Sequence, residues 1–313
     1  MSDKSVLLVA GSSGFIGSAF VKSALCRYSQ VRCLTRNSQG HVPQEGSRLP
    51  VRWDPGQGMI DPQAIAGANV AVCLNGAHIN RMWTKKYRET LWQSRISSVR
   101  TLVDGIAKVP EQQRPRVLLS GSAVGYYGYD ADQPVSEDTP VGNGFLSELC
   151  QAWEYEANRA REYGVRVVNI RTGLVMHPSG GLLKAMTALF KLGLGAKIGS
   201  GAAWMPVISL QDYIRAIHFC IEHSQIFGPV NFCAPHPVRN AQWTEHMADF
   251  VRRPAILTVP KSIIRCGLGQ MGRETILASQ QVVPDVLLKN GFVFESTNSM
   301  EIFSSFQEKH SEK

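Results

Sequence analysis

Val6-Leu7-Leu8-Val9-Ala10-Gly11-Ser12-Ser13-Gly14-Phe15-Ile16-Gly17 decides the fold of this 313-residue chain. Val6 to Ala10 is a short, unbroken apolar run of the kind that forms a buried parallel strand. Gly11, Gly14 and Gly17 follow at three-residue spacing, and Phe15, Ile16, Ala19, Phe20, Ala24 and Leu25 then recur with helical period. Strand, glycine turn and helix together are the context in which glycines bind a dinucleotide. The first glycine permits the tight turn, the second lets backbone N–H groups approach a pyrophosphate, and the third lets helix and strand pack closely. The helix N-terminus then faces the phosphate charge.

Outward from that unit, strand patterns alternate with helical ones. The pattern predicts strands at Val31–Thr35, Val51–Trp53, Val70–Asn75, Val117–Ser120, Val165–Arg171 and Val230–Ala234. One helix should carry Ile96, Val99, Leu102, Val103 and Ile106 on a single face, and another should span Phe145–Glu162. Such alternation implies an α/β fold, a doubly wound parallel sheet of Rossmann type. From about Gly173 the pattern loosens, and Gly193, Gly195, Gly199 and Gly201 mark a loop region. The expected organisation is a dinucleotide-binding domain over 1–234, including parts of the substrate pocket from about 173. A small C-terminal α/β cap follows over 235–313. Gly267-Leu268-Gly269-Gln270-Met271-Gly272 also reads G-x-G-x-x-G, but no strand precedes it, so a helix break is the better reading.

The end of the second strand selects the nicotinamide cofactor. An acid there would bond the ribose 2′-hydroxyl, whereas arginine accommodates a 2′-phosphate. The strand ends Leu34-Thr35-Arg36-Asn37 without an acid, which favours NADP over NAD.

Composition excludes several classes. Hydrophobic content is 44% and charged content 19%, ordinary for a globular protein. The net charge of +8 comes without a long Lys/Arg run, so nucleic acid is not an expected partner. No stretch approaches the roughly 18 apolar residues of a membrane span, and the N-terminal apolar run is too short for the h-region of a signal peptide and ends in the glycine turn. The seven cysteines are odd in number and form no C-x-x-C pair. They read as reduced, mostly buried thiols of a cytoplasmic protein. No His or carboxylate set has metal-ligand spacing, and a homodimer is left open as an assembly.

The G-x-x-G-x-x-G spacing resembles the turn of extended short-chain dehydrogenases/reductases, with Ala10 where Thr is common. Further segments resemble that family in order. Leu74-Asn75-Gly76-Ala77 closes the fourth strand. Ser120-Gly121-Ser122-Ala123, followed by Tyr126-Tyr127-Gly128, is similar to the segment carrying the catalytic Ser or Thr, which would be Ser122. Glu137-Asp138-Thr139-Pro140, Arg171 and Ile208-Ser209-Leu210-Gln211-Asp212 fit later stretches. A narrower likeness is to uncharacterised NADP-binding, epimerase-like proteins. It rests on Leu34-Thr35-Arg36, Ser94-Arg95, Phe145 to Cys150 with Trp153-Glu154, Leu192 to Gly195, Ile198 to Gly201, and Ala234-Pro235. The resemblance implies cofactor contacts at Gly11, Ser12, Ser13, Gly14, Phe15, Ile16, Gly17, Thr35, Arg36, Leu74, Asn75, Gly76, Arg95, Ser120 and Val175.

One departure bears on chemistry. The family's Tyr-x-x-x-Lys should open the helix after Pro140, with a Glu four residues beyond the Lys. Glu154 fits that Glu, which makes the Lys position Cys150 and the Tyr position Leu146. Leucine has no proton to give, and a neutral thiol supplies no positive field. Cys150 is read as packed. Tyr155-Glu156-Ala157-Asn158-Arg159 comes too late in the helix to replace the dyad. Tyr126 and Tyr127, at the C-terminal edge of the fifth strand, are the candidate substitute acids. His78, His177 and His236 read as loop residues.

Two readings follow. One is an NADP(H)-dependent epimerase or oxidoreductase acting on a small carbonyl or sugar-like substrate, with Ser122 holding the substrate oxygen and Tyr126 or Tyr127 donating the proton. The other is a catalytically silent NADP-binding protein that senses cofactor state or acts through a partner. An empty polar pocket above the nicotinamide would favour the first, a filled apolar one the second.

Overall fold

A computed structural model describes residues 5–36 and 48–311, so Asn37 lies outside the described residues. The strands are β1 (Val6–Ala10), β2 (Gln30–Thr35), β3 (Arg48–Asp54), β4 (Met59–Ile60), β5 (Val70–Cys73), β6 (Val117–Ala123), β7 (Asp130–Val135), β8 (Arg166–Thr172), β9 (Leu174–Met176), β10 (Ala196–Ile198), β11 (Trp204–Met205), β12 (Val207–Ser209), β13 (Gly228–Phe232), β14 (Val238–Arg239), β15 (Leu257–Val259) and β16 (Ser279–Val282). The α-helices are α1 (Phe15–Ala24), α2 (Pro62–Ile65), α3 (Lys85–Ala107), α4 (Phe145–Asn158), α5 (Gly181–Lys191), α6 (Leu210–Glu222), α7 (Asn240–Val251), α8 (Lys261–Glu274), α9 (Asp285–Lys289) and α10 (Ser299–Ser311).

Eight strands form one sheet in the order β13-β8-β6-β5-β1-β2-β3-β4. β1 lies between β2 and β5 and is parallel to both, with Leu7 facing Val31 on one side and Val70 on the other. β4 closes one edge antiparallel to β3. After β3 and β4 the chain returns to the far side of β1, which is the strand-order reversal of a doubly wound sheet. Leu7, Leu8, Val9 and Ala10 are fully buried, as an apolar run covered on both faces requires. α1 buries Phe20, Val21 and Ala24, and α3 buries Leu91, Ile96, Val99, Leu102, Val103 and Ile106, the face expected from the spacing.

The chain divides into two compact units. The first is Met1–Ser122, Gln151–Ile170 and Ile217–Pro229, and the second is Ala123–Cys150, Arg171–Ala216 and Val230–Lys313. The second therefore gathers far more than residues 235–313. Its core includes Met176, Leu183, Phe190, Val207, Trp243, Met247, Ile302, Phe303 and Phe306. Asp212 is fully buried there. It accepts hydrogen bonds from Arg215 Nη1 at 2.6 Å and from the backbone N–H groups of Glu295 and Ser296, and so fastens the tail.

Among the elements that differ from the sequence reading are α4 and the Gly193–Gly201 loop. α4 stops at Asn158, because Arg159–Tyr163 tightens into a 3₁₀ helix that ends on Gly164 in the left-handed region (φ 77°). The Gly193–Gly201 loop contains β10, which pairs in parallel with β15. The helix break at the second glycine cluster is present: Gly269 (φ 55°, ψ −129°) interrupts α8.

In the first unit His218 of α6 packs on Phe20, with its Nε2 hydrogen-bonded to Ser23 Oγ at 2.9 Å. Burial, helped by Arg27, lowers its pKa from 6.5 to about 4. Below pH 6.5 the unfolded chain takes up a proton that the folded protein refuses, so stability falls as pH drops from 6.5 toward 4. Between pH 7 and pH 5 the wild type should lose about 2 kcal/mol more than His218→Gln, read by denaturant unfolding. Equal losses in both proteins would refute the neutral buried histidine.

Candidate functional site

The turn after β1 is built for close backbone approach. Gly11 has φ +87°, and a Cβ there would lie 2.7 Å from the Asn75 backbone nitrogen. At Gly17 a Cβ would lie 2.0 Å from the Gly11 carbonyl oxygen, so only glycine lets α1 start so near the strand. Gly14 is the N-cap of α1, and no side chain caps that helix. Ser13 and Gly14 are exposed and Ser12 is buried. A helix start with no side-chain cap, beside a glycine-only surface, fits a dinucleotide pyrophosphate. β2 delivers Thr35 and an exposed Arg36 at the same end of the sheet as this turn.

The loop after β5 is tied to α3. Asn75 Nδ2 donates to Ser98 Oγ, and its Oδ1 accepts from the Cys73 thiol at 3.2 Å. Ala77 N donates to Ser94 Oγ at 3.0 Å. Arg95 donates to the Ala77 and Leu91 carbonyls and lies over the Trp153 ring at 5.3 Å. A Cβ on Gly76 would touch the Arg95 guanidinium at 3.1 Å. Leu74, Asn75, Gly76 and Arg95 are thus brought together, with Arg95 bracing the loop. Trp153 also packs on Gly121, where a Cβ would come within 2.8 Å of its ring.

Ser120 is fully buried in β6. Ser122, also buried, donates from Oγ to Glu154 Oε1 at 2.7 Å. The sequence reading placed Glu154 in the family pattern but missed this pair. The signal available was only that both positions match the family, since 32 residues separate them.

The second unit holds the two tyrosines. The buried Arg171 guanidinium lies 3.5 Å from the centre of the Tyr126 ring. It also donates from Nη1 to Tyr127 Oη at 2.9 Å and to the Glu137 carbonyl oxygen at 3.2 Å. Tyr127 Oη donates to Asn231 Oδ1 at 2.7 Å, and burial raises its pKa above the usual phenol range. Glu137 Oε1 accepts from Asn231 N at 2.9 Å, while its Oε2 is buried without a partner. Burial pushes the Glu137 carboxyl pKa upward, since desolvation penalises its charged form. Tyr127 is therefore fully engaged, whereas Tyr126 is half-buried on the arginine face.

Leu146 packs against Gly125, and Cys150 is 3% exposed. The start of α4 is held by Glu274, whose carboxylate accepts from Phe145 N at 3.2 Å and Leu146 N at 2.9 Å. Val175 is buried in β9 opposite Ile208 of β12. Tyr155 is 69% exposed. His78 is exposed, and His177 lies in the turn closed by Gly180. Five of the seven cysteines are buried, Cys26 and Cys266 being exposed. Among the described residues no group of three or more His, Cys, Asp or Glu could hold a metal ion, and no helix is long and apolar enough to cross a membrane.

A glycine turn from β1 into an uncapped α1, on a doubly wound parallel sheet, defines an NAD(P)-binding Rossmann-fold protein. Residues 7–232 match the NAD dependent epimerase/dehydratase family, and residues 259–299 match a domain of unknown function, DUF1731. The chain belongs to that epimerase/dehydratase family. An epimerase family protein of Mycobacterium bovis is 37% identical over 290 residues, covering 92% of this chain and 93% of that protein. A crystal structure of the human epimerase family protein SDR39U1 with NADPH is similar over 97% of this chain and 99% of that one, at TM-score 0.82 and 26% identity. A nucleoside-diphosphate sugar epimerase from Corynebacterium glutamicum is similar at TM-score 0.76 and 28% identity, over 99% of this chain and 62% of that one.

Proposed function

We propose that the protein is an NADP(H)-dependent epimerase or oxidoreductase acting on a small carbonyl or hydroxyl compound. The observation that carries the cofactor is the uncapped start of α1 beside an exposed Arg36 at the end of β2, where the sequence offers no acid. The human relative solved with NADPH supports the same choice. Gly11 to Gly17 would hold the pyrophosphate, Thr35 and Arg36 the 2′-phosphate, and Leu74 to Gly76 the flank of the cofactor, with Arg95 bracing that loop. Ser120 and Val175 complete the proposed set of cofactor residues.

The bound nicotinamide would supply or take up the hydride. Ser122 Oγ gives its own proton to Glu154, which leaves its oxygen lone pairs as the acceptors it would offer a substrate hydroxyl. A proton leaving that hydroxyl has a route through Ser122 Oγ to Glu154 Oε1. Tyr126, beside the Arg171 charge, is the phenol assigned to the opposite proton transfer. Tyr127, bonded to Asn231 and Arg171, holds Arg171 in place. The replacement of the Tyr and Lys positions by Leu146 and Cys150 favours the rival reading, an NADP-binding protein without turnover. Screening aldehydes, ketones and sugars for NADPH consumption separates the two.

Calorimetry on wild type and Arg36→Ala tests the cofactor. NADP should bind more tightly than NAD to the wild type. Arg36→Ala should cost NADP about 1.5–3 kcal/mol, the value of a hydrogen bond to a charged group, and leave NAD nearly unchanged. Equal wild-type affinities for both nucleotides would overturn the assignment.

A further inference from the structure

The second unit contains a cavity of about 440 Å³ that the reading above does not use. Arg239, Lys261, Arg265 and Arg273 line it, with Asp130 as the one carboxylate. Among the described residues none of the four cations forms an ion pair. Lining cations against one acid leave three uncompensated positive charges around a small volume. Like charges repel one another, so such a set costs stability unless an anion neutralises it.

The arrangement is also braced. The Arg239 guanidinium lies over the Trp204 ring, 3.7 Å from its centre, and donates from Nη1 to the Ala202 carbonyl. Arg273 lies 5.9 Å from the Tyr129 ring. Arg239, half-buried and held on an aromatic face, is oriented before a ligand arrives. Lys261 and Arg265 stand one turn apart on the same face of α8. In a straight helix Arg273 would be turned well away from Lys261; the break at Gly269 redirects the second half, and Arg273 reaches the same cavity. The N-terminal amides of α4 are not an alternative anion site in this unit, because the Glu274 carboxylate occupies them.

We propose that this cavity binds a compact polyanionic metabolite carrying two or more phosphate or carboxylate groups on a small frame that is not a nucleotide. A single charged group would leave most of the cations unmatched. Nucleotide bases are commonly held by stacking on aromatic faces; Tyr129 is the one aromatic among the lining residues, and the Arg273 guanidinium lies 5.9 Å from its ring centre. Asp130 suits a hydroxyl of the same ligand, since a carboxylate only accepts hydrogen bonds. Tyr129 lines both this cavity and the narrow cleft formed by Gly125, Leu146 and Glu274. The inference deepens the enzyme reading and rests on it for the reaction: the ligand would be its substrate, anchored by its charges in the second unit.

The test is calorimetry on full-length protein saturated with NADPH, so that the turn after β1 is filled. Inorganic pyrophosphate and citrate serve as the phosphate and carboxylate probes, and UDP-glucose as the nucleotide probe. One or both of the first two should bind, more weakly as salt is raised, and the tighter of them tells phosphate from carboxylate. Arg265→Gln and Arg273→Gln change exposed side chains and should each weaken that binding about ten-fold, with NADPH affinity and melting temperature unchanged. Absence of saturable binding by both probes would overturn the proposal. So would binding indifferent to both substitutions, or UDP-glucose binding more tightly than either probe and losing affinity in the same variants. Failure of NADPH to bind would refute the enzyme reading separately, because the two variants still report on anion binding to the protein without cofactor.

Discussion

Gly14→Val should abolish NADPH binding in a protein that remains folded. At this position a Cβ would meet only the Gly11 carbonyl oxygen at 3.3 Å, and φ is −73°, which any residue adopts. The branched side chain would stand over the start of α1, where the pyrophosphate is proposed to lie. Affinity should fall about 100-fold or more. Loss of a favoured N-cap residue should lower the melting temperature by only roughly 2–4 °C. Gly17→Val is the contrasting control. Its Cβ would sit 2.0 Å from Gly11 O, and that variant should lose more than about 3 kcal/mol of stability. A folded Gly14→Val protein with wild-type affinity for NADPH would refute the location of the cofactor.

The second large effect concerns proton transfer. With any carbonyl substrate that consumes NADPH, Ser122→Ala and Tyr126→Phe should each lower turnover roughly 100- to 10,000-fold, the worth of a positioned acid or base. Cys150→Ala should leave turnover nearly unchanged, because the thiol is packed at 3% exposure. Tyr127→Phe should act chiefly on stability through the lost bonds to Asn231 and Arg171. Turnover that collapses in Cys150→Ala, in a protein still binding NADPH, would make that thiol the acid and overturn the assignment.

Features governed by neighbouring residues were legible in the sequence. β1, the glycine turn and α1 occupy the expected positions because apolar period and glycine spacing act within a dozen residues. β3 is longer than Val51–Trp53, at Arg48–Asp54, because it alternates polar with apolar side chains and the unbroken-run signal of a central strand is missing. The end of α4 was hidden because a 3₁₀ turn keeps nearly the same side-chain period. In the site, Gly11, Gly14 and Gly17 could be assigned roles from the motif alone. The Ser122–Glu154 pair, the stack of Arg171 on Tyr126 and the convergence of Arg239, Lys261, Arg265 and Arg273 could not. The first two join residues far apart in the chain; in the third only Lys261 and Arg265 share a helical period, while Arg239 comes from another element and Arg273 is redirected by the break at Gly269.

The carboxylate of Glu274 also has a consequence for how the chain matures. The amides it satisfies at the start of α4 precede it by 128 and 129 residues. During synthesis, α4 therefore emerges from the ribosome long before the acid that completes its first turn. The nascent protein carries an unfinished helix until α8 is made. A message truncated before α8 would yield a product with that helix start uncapped, marked for chaperones and proteases and not for function.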